Sequence, residues 1–337
     1  MSRPYYRPIP TLTPGADALQ LAGGWVWFDR VEVLHRGGRA IQLAAAELPE
    51  AVRTRLCTPR TNISGLSMDV PQIMGILNTT PDSFSDGGLF DAPAAAQAQA
   101  EQMLADGADL LDIGGESTRP GAQEVAIAEE ISRTAPVIAD LRARGVVAPI
   151  SIDTRKAAVA EAAANAGATL INDVSAFGFD PTMAEMTRRL GLPACLMHAQ
   201  GAPETMQDDP RYEDVLFDVY DALEAHVDRA EAAGIARADL LVDPGIGFGK
   251  TLEHNLALLR GLSLFHGLGC AILLGASRKR FIGTLSATAQ ARDRVAGSLA
   301  VALHGVAQGV QILRVHDVKE THQALALWHP LTRVETG

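Results

Sequence analysis

From about residue 72 the chain repeats one pattern eight times: a short apolar run ending in polar residues, then a longer stretch rich in Ala and Leu. The runs are QIMGILN, ending at Asn78, DLLDIGG (109–115), PISIDT, ending at Thr154, and TLINDVS (169–175). They continue with PACLMHA (193–199), LLVDPG, ending at Gly245, AILLGAS, ending at Ser277, and QILRVHD (311–317). Each run is too short for a stable helix and too uniformly apolar for a half-exposed strand, so each suits a strand buried on both faces. The stretches between them, such as RKAAVAEAAANAG (155–167) and YEDVLFDVYDALEAHVDRAEAAG (212–234), have helical spacing and end in Gly, a helix-stop signal. Eight β–α units spaced by roughly 30 residues predict an α/β protein built as a (β/α)8 barrel of roughly 250 residues. A doubly wound open sheet is the alternative.

Residues 1–70 stand outside this pattern. GGWVWFDRVEVL and RAIQLAAAEL, separated by HRGG, predict a β-hairpin with a Gly turn. The expected organisation is therefore an N-terminal extension over 1–70, with no chemistry assigned to it, and a barrel over 71–337. A cover for one end of the barrel is the plain structural reading of the extension.

In such a barrel, function sits where strands end and enter their following loops. Here those positions carry Asn78, Asp112, Asp153, Asn172, Asp173, His198, Asp243, Ser277, Arg314 and His316. The loops add Asp82, Ser83, Glu116, Thr118, Arg119, Arg278 and Lys279. A single polar strand end is equally well a helix cap. Eight of them argue for convergence on one mouth. Asp153, Asn172 and Asp243 could bind a planar heterocycle with adjacent N–H donors, because a carboxylate accepts two parallel hydrogen bonds and an amide serves a mixed edge. Arg119, Arg314 and His316, with Asn78, form a complementary set that could hold an anionic leaving group such as pyrophosphate, a magnesium ion sharing its oxygens. Lys279 could serve either half. The structural alternative for Arg314 is an ion pair with Asp317 or Glu320.

Several chemistries are disfavoured. DPGIGFGKT (243–251) ends in Gly-Lys-Thr but has Pro244 where a phosphate-binding loop needs Gly, so it is not a P-loop. No Gly-x-Gly-x-x-Gly follows the first strand, and no HExxH or His-x-His points to zinc. A Schiff-base role fits Lys279 poorly, since it follows Ser277 and Arg278 in a loop. Lys250 is expected to support its loop. The three cysteines, Cys57, Cys195 and Cys270, are widely spaced, which argues against a disulfide framework and predicts a cytoplasmic protein. Cys195 and Cys270 read as buried small apolar residues. With 29 Lys and Arg against 40 Asp and Glu, the net charge of −11 makes nucleic acid or an anionic membrane a poor partner. No apolar run reaches the roughly 20 residues that span a bilayer.

These residues carry a resemblance. MGILNTTPDSFSDGG (74–88), DIGGESTRPGA (112–122), SIDT (151–154) and INDVS (171–175) resemble segments of the dihydropteroate synthases. So do LMH (196–198), DPGIGFGKT, SRKRFIG (277–283) and RVHDV (314–318), in the family's order and over about 72–328. The resemblance implies a reaction: 6-hydroxymethyl-7,8-dihydropterin diphosphate condenses with p-aminobenzoate to give 7,8-dihydropteroate and pyrophosphate. It implies a pterin site of Asp153, Asn172, Met197, Asp243, Phe248 and Lys279. Phe84, Thr118, Arg119, Pro120 and Ser277 would form the p-aminobenzoate pocket. Asn78, Arg119, Arg314 and His316 would hold the diphosphate, with Asn78 at a magnesium ion. Asp153, Lys279, Arg314 and His316 would be catalytic. A homodimer is implied by the family alone. Two departures stand out: Ala176 follows NDVS where Gly is expected, and Ala199 follows LMH where Met is expected. A corrinoid-dependent methyltransferase that binds methyltetrahydrofolate, and an inactive pterin-binding module, are the rival functions. The first would have no use for the Arg–His pair or the arylamine loops.

Overall fold

The computed structural model describes residues 3–79, 92–117, 122–201 and 205–332. Eight parallel strands close into a barrel: β6 (Gln72–Asn78), β7 (Leu110–Gly114), β8 (Ile150–Asp153), β9 (Leu170–Asp173), β10 (Ala194–Met197), β11 (Leu240–Asp243), β12 (Ala271–Leu274) and β13 (Ile312–Val315). Every one lies inside an expected run. Neighbours follow chain order, and β13 pairs with β6 to close the ring. The open-sheet alternative is thereby excluded.

The helical stretches also fall where their spacing put them. In α4 (Ala157–Ala166) the chain stops at Gly167, whose φ of 115° suits a residue without a Cβ. At the start of α6 (Val215–Ala232) the carboxylate of Asp214 accepts from the amides of Leu216 and Phe217, satisfying two orphan donors. Between strands and helices lies the main apolar core. A second cluster fills the barrel itself, with Met74, Leu110, Leu170, Cys195, Leu241, Leu273 and Ile312 pointing inward. Ile63 and Met68 belong to that inner cluster, so the end of the N-terminal segment closes the floor of the barrel.

The N-terminal segment holds the expected hairpin, β4 (Arg30–Leu34) with β5 (Ile41–Ala44). It holds more than that. β1 (Tyr5–Pro8) pairs with the other edge of β4, and β2 (Leu19–Gln20) pairs with β3 (Trp27–Phe28). Phe28, Val31, Leu21 and Leu56 form a small core of their own. The segment grips the outside of the barrel: Tyr5 stacks on Phe217 with ring centroids 4.3 Å apart and donates to Asp221 at 2.8 Å. Arg36 reaches Asp218 and Asp221 of the same helix, and the Trp25 indole donates to the carbonyl of Val306 at 2.8 Å.

Candidate active site

The three glycines of DPGIGFGKT have a structural job. Gly245, Gly247 and Gly249 all take positive φ, at 67°, 83° and 61°. A Cβ on Gly245 would lie 1.9 Å from the carbonyl oxygen of His198, and one on Gly249 2.5 Å from that of Gln200. The glycines let the loop after β11 press against the loop after β10. Lys250 ties the two together: its ammonium lies 3.0 Å from Nδ1 of His198 and donates to the carbonyl of Phe248 at 2.9 Å. Burial, opposed by the charge of Asp243, lowers the Lys250 ammonium to about 7. Burial and the neighbouring Lys250 lower His198 to about 2, so its imidazole is neutral.

Above the strand ends lies a cavity of ≈ 950 Å³. Asn78, Asp153, Phe248, Ser277, Lys279, Arg314 and His316, all expected in the site, line it together. Arg278, Arg280, Arg292, Arg294 and Lys250 line it as well, so among the described lining residues seven cations face a single carboxylate, Asp153. Asn172, Met197 and Asp243 lie buried at the strand ends, Met197 in register with Asp243. Phe84, Thr118, Arg119 and Pro120 lie outside the described residues.

Ser277, His198 and His316 sit just beyond their strands. His316 leaves the ladder and its amide donates to the hydroxyl of Ser277 at 3.2 Å, with its Nδ1 3.1 Å from the same oxygen. Lys279 places its ammonium 3.9 Å from the centre of the Phe248 ring, a cation–π contact.

The expected carboxylate half and cationic half are joined through Arg314. Arg314 donates to Asp112 Oδ2 at 2.5 Å and to Asp153 Oδ2 at 2.7 Å, and Asn172 donates to the same Asp112 oxygen at 3.1 Å. Arg314 does not pair with Asp317, which is held by Arg278 instead. The reason is direction. Arg314 points into the barrel, where the strand-end carboxylates are, and Asp317 points away to meet the loop after β12. Asp112 is thus the hub that the sequence reading left without a role. The other oxygens, Asp112 Oδ1 and Asp153 Oδ1, are buried with no hydrogen-bond partner among the described residues. Burial raises the Asp153 pKa; Arg314 opposes the rise and Asp112 adds to it. Asp243 is raised by burial too, although its Oδ1 accepts from the Gly245 amide at 2.7 Å.

After β9 the carboxylate of Asp173 accepts from the amides of Ser175 and Phe177 and ties a tight turn. Ala176 takes φ 49° there. An L-residue pays roughly 1–2 kcal/mol for that conformation, which explains why a Gly is the expected occupant.

A closed parallel barrel whose mouth joins buried carboxylates to a ring of cations defines an enzyme for anionic small molecules. Comparison with known proteins narrows this. The profile of the family described as pterin binding enzyme matches residues 74–316. Dihydropteroate synthase of Neisseria meningitidis serogroup B is 49% identical over 271 residues, covering 79% of this chain and 94% of that protein. The structure of the Yersinia pestis enzyme with a sulfonamide drug complex superposes with a TM-score of 0.76 at 47% identity, covering 81% of this chain and 98% of that one. The Xanthomonas albilineans enzyme in complex with 7,8-dihydropteroate gives a TM-score of 0.75 at 42% identity, covering 82% and 100%. The chain belongs to the pterin-binding enzymes and, among them, to the dihydropteroate synthases, which are transferases.

Proposed function

We propose that the cavity joins the pterin diphosphate to p-aminobenzoate by a dissociative substitution. The reaction is the family's: 6-hydroxymethyl-7,8-dihydropterin diphosphate and p-aminobenzoate give 7,8-dihydropteroate and pyrophosphate. The observation that carries the reading is the buried chain Asn172–Asp112–Arg314–Asp153, which leaves carboxylate oxygens without donors beside a cation-lined cavity. A buried charged acceptor without a donor costs about 1–3 kcal/mol or more, so a ligand rich in N–H groups is favoured there. The aminopyrimidinone edge of a pterin is such a ligand. Asp243, Asn172 and Asp153 hold that edge, Met197 and Phe248 pack beside the ring, and Lys279 covers it from the loop after β12.

Arg314, His316 and Asn78 face the diphosphate. The C–O bond to pyrophosphate breaks first, and the electron pair leaves with the pyrophosphate. The resulting cation is delocalised into the electron-rich dihydropterin and stabilised by Asp153. The neutral arylamine then attacks the cation, and the resulting anilinium loses its proton to the released pyrophosphate, so no strong base is required. In this reading Phe84, Thr118, Arg119, Pro120 and Ser277 surround the arylamine, and exclusion of water protects the cation.

Among the described residues no group of three His, Cys, Asp or Glu side chains could cage a metal. Asn78 offers one amide oxygen at the cavity wall, which fits Mg2+ held mainly by diphosphate oxygens and water. Such an ion would neutralise charge building on the leaving group. A second copy of the chain is the proposed partner, supported by Leu327 and Leu331, 66% and 82% exposed on the last helix, α10 (Val318–Thr332). Among the described residues no helix is long and apolar enough to cross a membrane.

Positional isotope exchange tests the dissociative order. With 18O in the bridging C–O–P position and no arylamine present, the label is expected to move to non-bridging oxygens as pyrophosphate rotates and returns. If label never scrambles while turnover proceeds normally on adding p-aminobenzoate, the cation-first order is wrong.

A further inference from the structure

The loop after β12 carries a strained residue to which the proposed reaction gives no part. Ala276 to Lys279 form a turn, closed by the Lys279 amide donating to the carbonyl of Ala276 at 3.4 Å. Its third residue, Arg278, takes φ 58°, a left-handed conformation that favours Gly at that turn position. A bulky residue persists there only when its surroundings hold it, and Arg278 is held at three points. Its amide donates to the hydroxyl of Ser298 at 2.9 Å, and its carbonyl accepts from Arg294 at 2.9 Å. Its guanidinium grips Asp317 with two prongs: Nε donates to Oδ2 at 3.0 Å, and Nη2 donates to Oδ1.

The three ties run to different places. Ser298 lies on α9 (Val295–Ala307) and Arg294 just before it. Both hold backbone groups of Arg278, which any residue would offer. The tie to Asp317 needs the side chain, and it crosses to the loop after β13. Asp317 is buried and is not one of the residues lining the cavity. It follows His316, whose amide donates to Ser277, so Ser277–His316 and Arg278–Asp317 are adjacent rungs between the two loops. On the other side of the turn Lys279 has a narrow path. A Cβ on Gly247 would lie 3.1 Å from its Cδ, and its ammonium sits 3.9 Å from the centre of the Phe248 ring. A shift of the turn would carry Lys279 off that ring.

We propose that Asp317 is a positioning residue: through Arg278 it pins the strained turn and so aims Lys279 across Phe248 into the pterin site. The proposal rests on the assignment of Lys279 to the pterin. Asp317 touches no reacting atom.

Arg278→Gly separates the two kinds of tie. Gly takes the φ of the turn without strain and keeps both backbone bonds, so the melting temperature is expected to hold or rise while the link to Asp317 is lost. The Kd of a pterin lacking phosphates, measured by calorimetry, is expected to rise about tenfold, a loss in the range that misplacement by a distant substitution produces. Asp317→Asn is expected to raise it by a similar factor, and the two substitutions together no further than Arg278→Gly alone. In a Lys279→Ala background, itself weakened, Asp317→Asn is expected to change Kd less than about twofold. Full pterin affinity in Arg278→Gly would overturn the proposal. So would a loss that Asp317→Asn does not share, which would make Arg278 a direct contact of the ligand. An equal loss from Asp317→Asn with and without Lys279 would overturn it as well. Should Asp317→Asn not fold, Arg278→Gly with and without Lys279→Ala makes the same comparison, with the same expected and contrary results. These measurements need no turnover: the coupling, found without any dihydropteroate formation, would refute only the assigned reaction.

Discussion

Arg314→Ala is expected to lower turnover by roughly 10²–10³-fold, the loss that follows removal of one donor aimed at developing negative charge. The guanidinium lies 2.5 Å from Asp112 and 2.7 Å from Asp153, at the wall of the cavity. Arg314 on β13 and His316 just beyond its end both line that wall. Negative charge grows on the pyrophosphate as the C–O bond breaks, and the cationic wall is worth most at that moment. Removing Arg314 also leaves two adjacent carboxylates without their cation. Some stability is lost with it, by up to about 3–5 kcal/mol for a broken buried pair, and less here because Asp153, raised by burial, can take up a proton. Pyrophosphate affinity should fall along with turnover, and affinity for a pterin lacking phosphates should fall less than tenfold. Arg314→Lys, which keeps one charge but cannot span both carboxylates, is expected to fold and still lose at least tenfold in turnover. A lower melting temperature with unchanged pyrophosphate affinity would make Arg314 a structural tie and nothing more.

Asp243→Asn is expected to weaken pterin binding by about ten- to hundredfold for each charge-assisted bond lost, at roughly 1.5–3 kcal/mol per bond. Asp243 ends β11 and is buried. One of its oxygens already accepts from Gly245, and Asn keeps that bond through its own oxygen, so the loop should survive the change. Calorimetric titration with a pterin ligand measures the loss. Near-normal affinity in the folded variant would remove Asp243 from the pterin site.

The barrel was legible because its strands are buried on both faces, which turns each into an unbroken apolar run with a conspicuous polar end. The polar ends were legible as a set for the same reason. Their pairing was not. Arg314 finds its partners 161 and 202 residues away in sequence, whereas the sequence offers Asp317 and Glu320 close by. Local spacing cannot show which way a strand-end side chain points. The first strand, YYRP, was missed for a different reason. Proline ends the strand at Pro8 and argues against a central strand, but β1 is an edge strand, where the missing amide is tolerated. The two ends of the Glu116–Val125 segment gave no periodic signal at all. Their link through Lys156 exists only once two consecutive β–α loops are folded side by side.

The most direct measurement of the central claim is formation of 7,8-dihydropteroate by the purified chain. The protein is incubated with 6-hydroxymethyl-7,8-dihydropterin diphosphate, Mg2+ and p-aminobenzoate, and both dihydropteroate and pyrophosphate are followed. Equal amounts of the two products, dependent on both substrates, are the predicted result. Tight binding of the pterin diphosphate by folded protein with neither product formed would contradict the account and leave a pterin-binding barrel without the transfer activity.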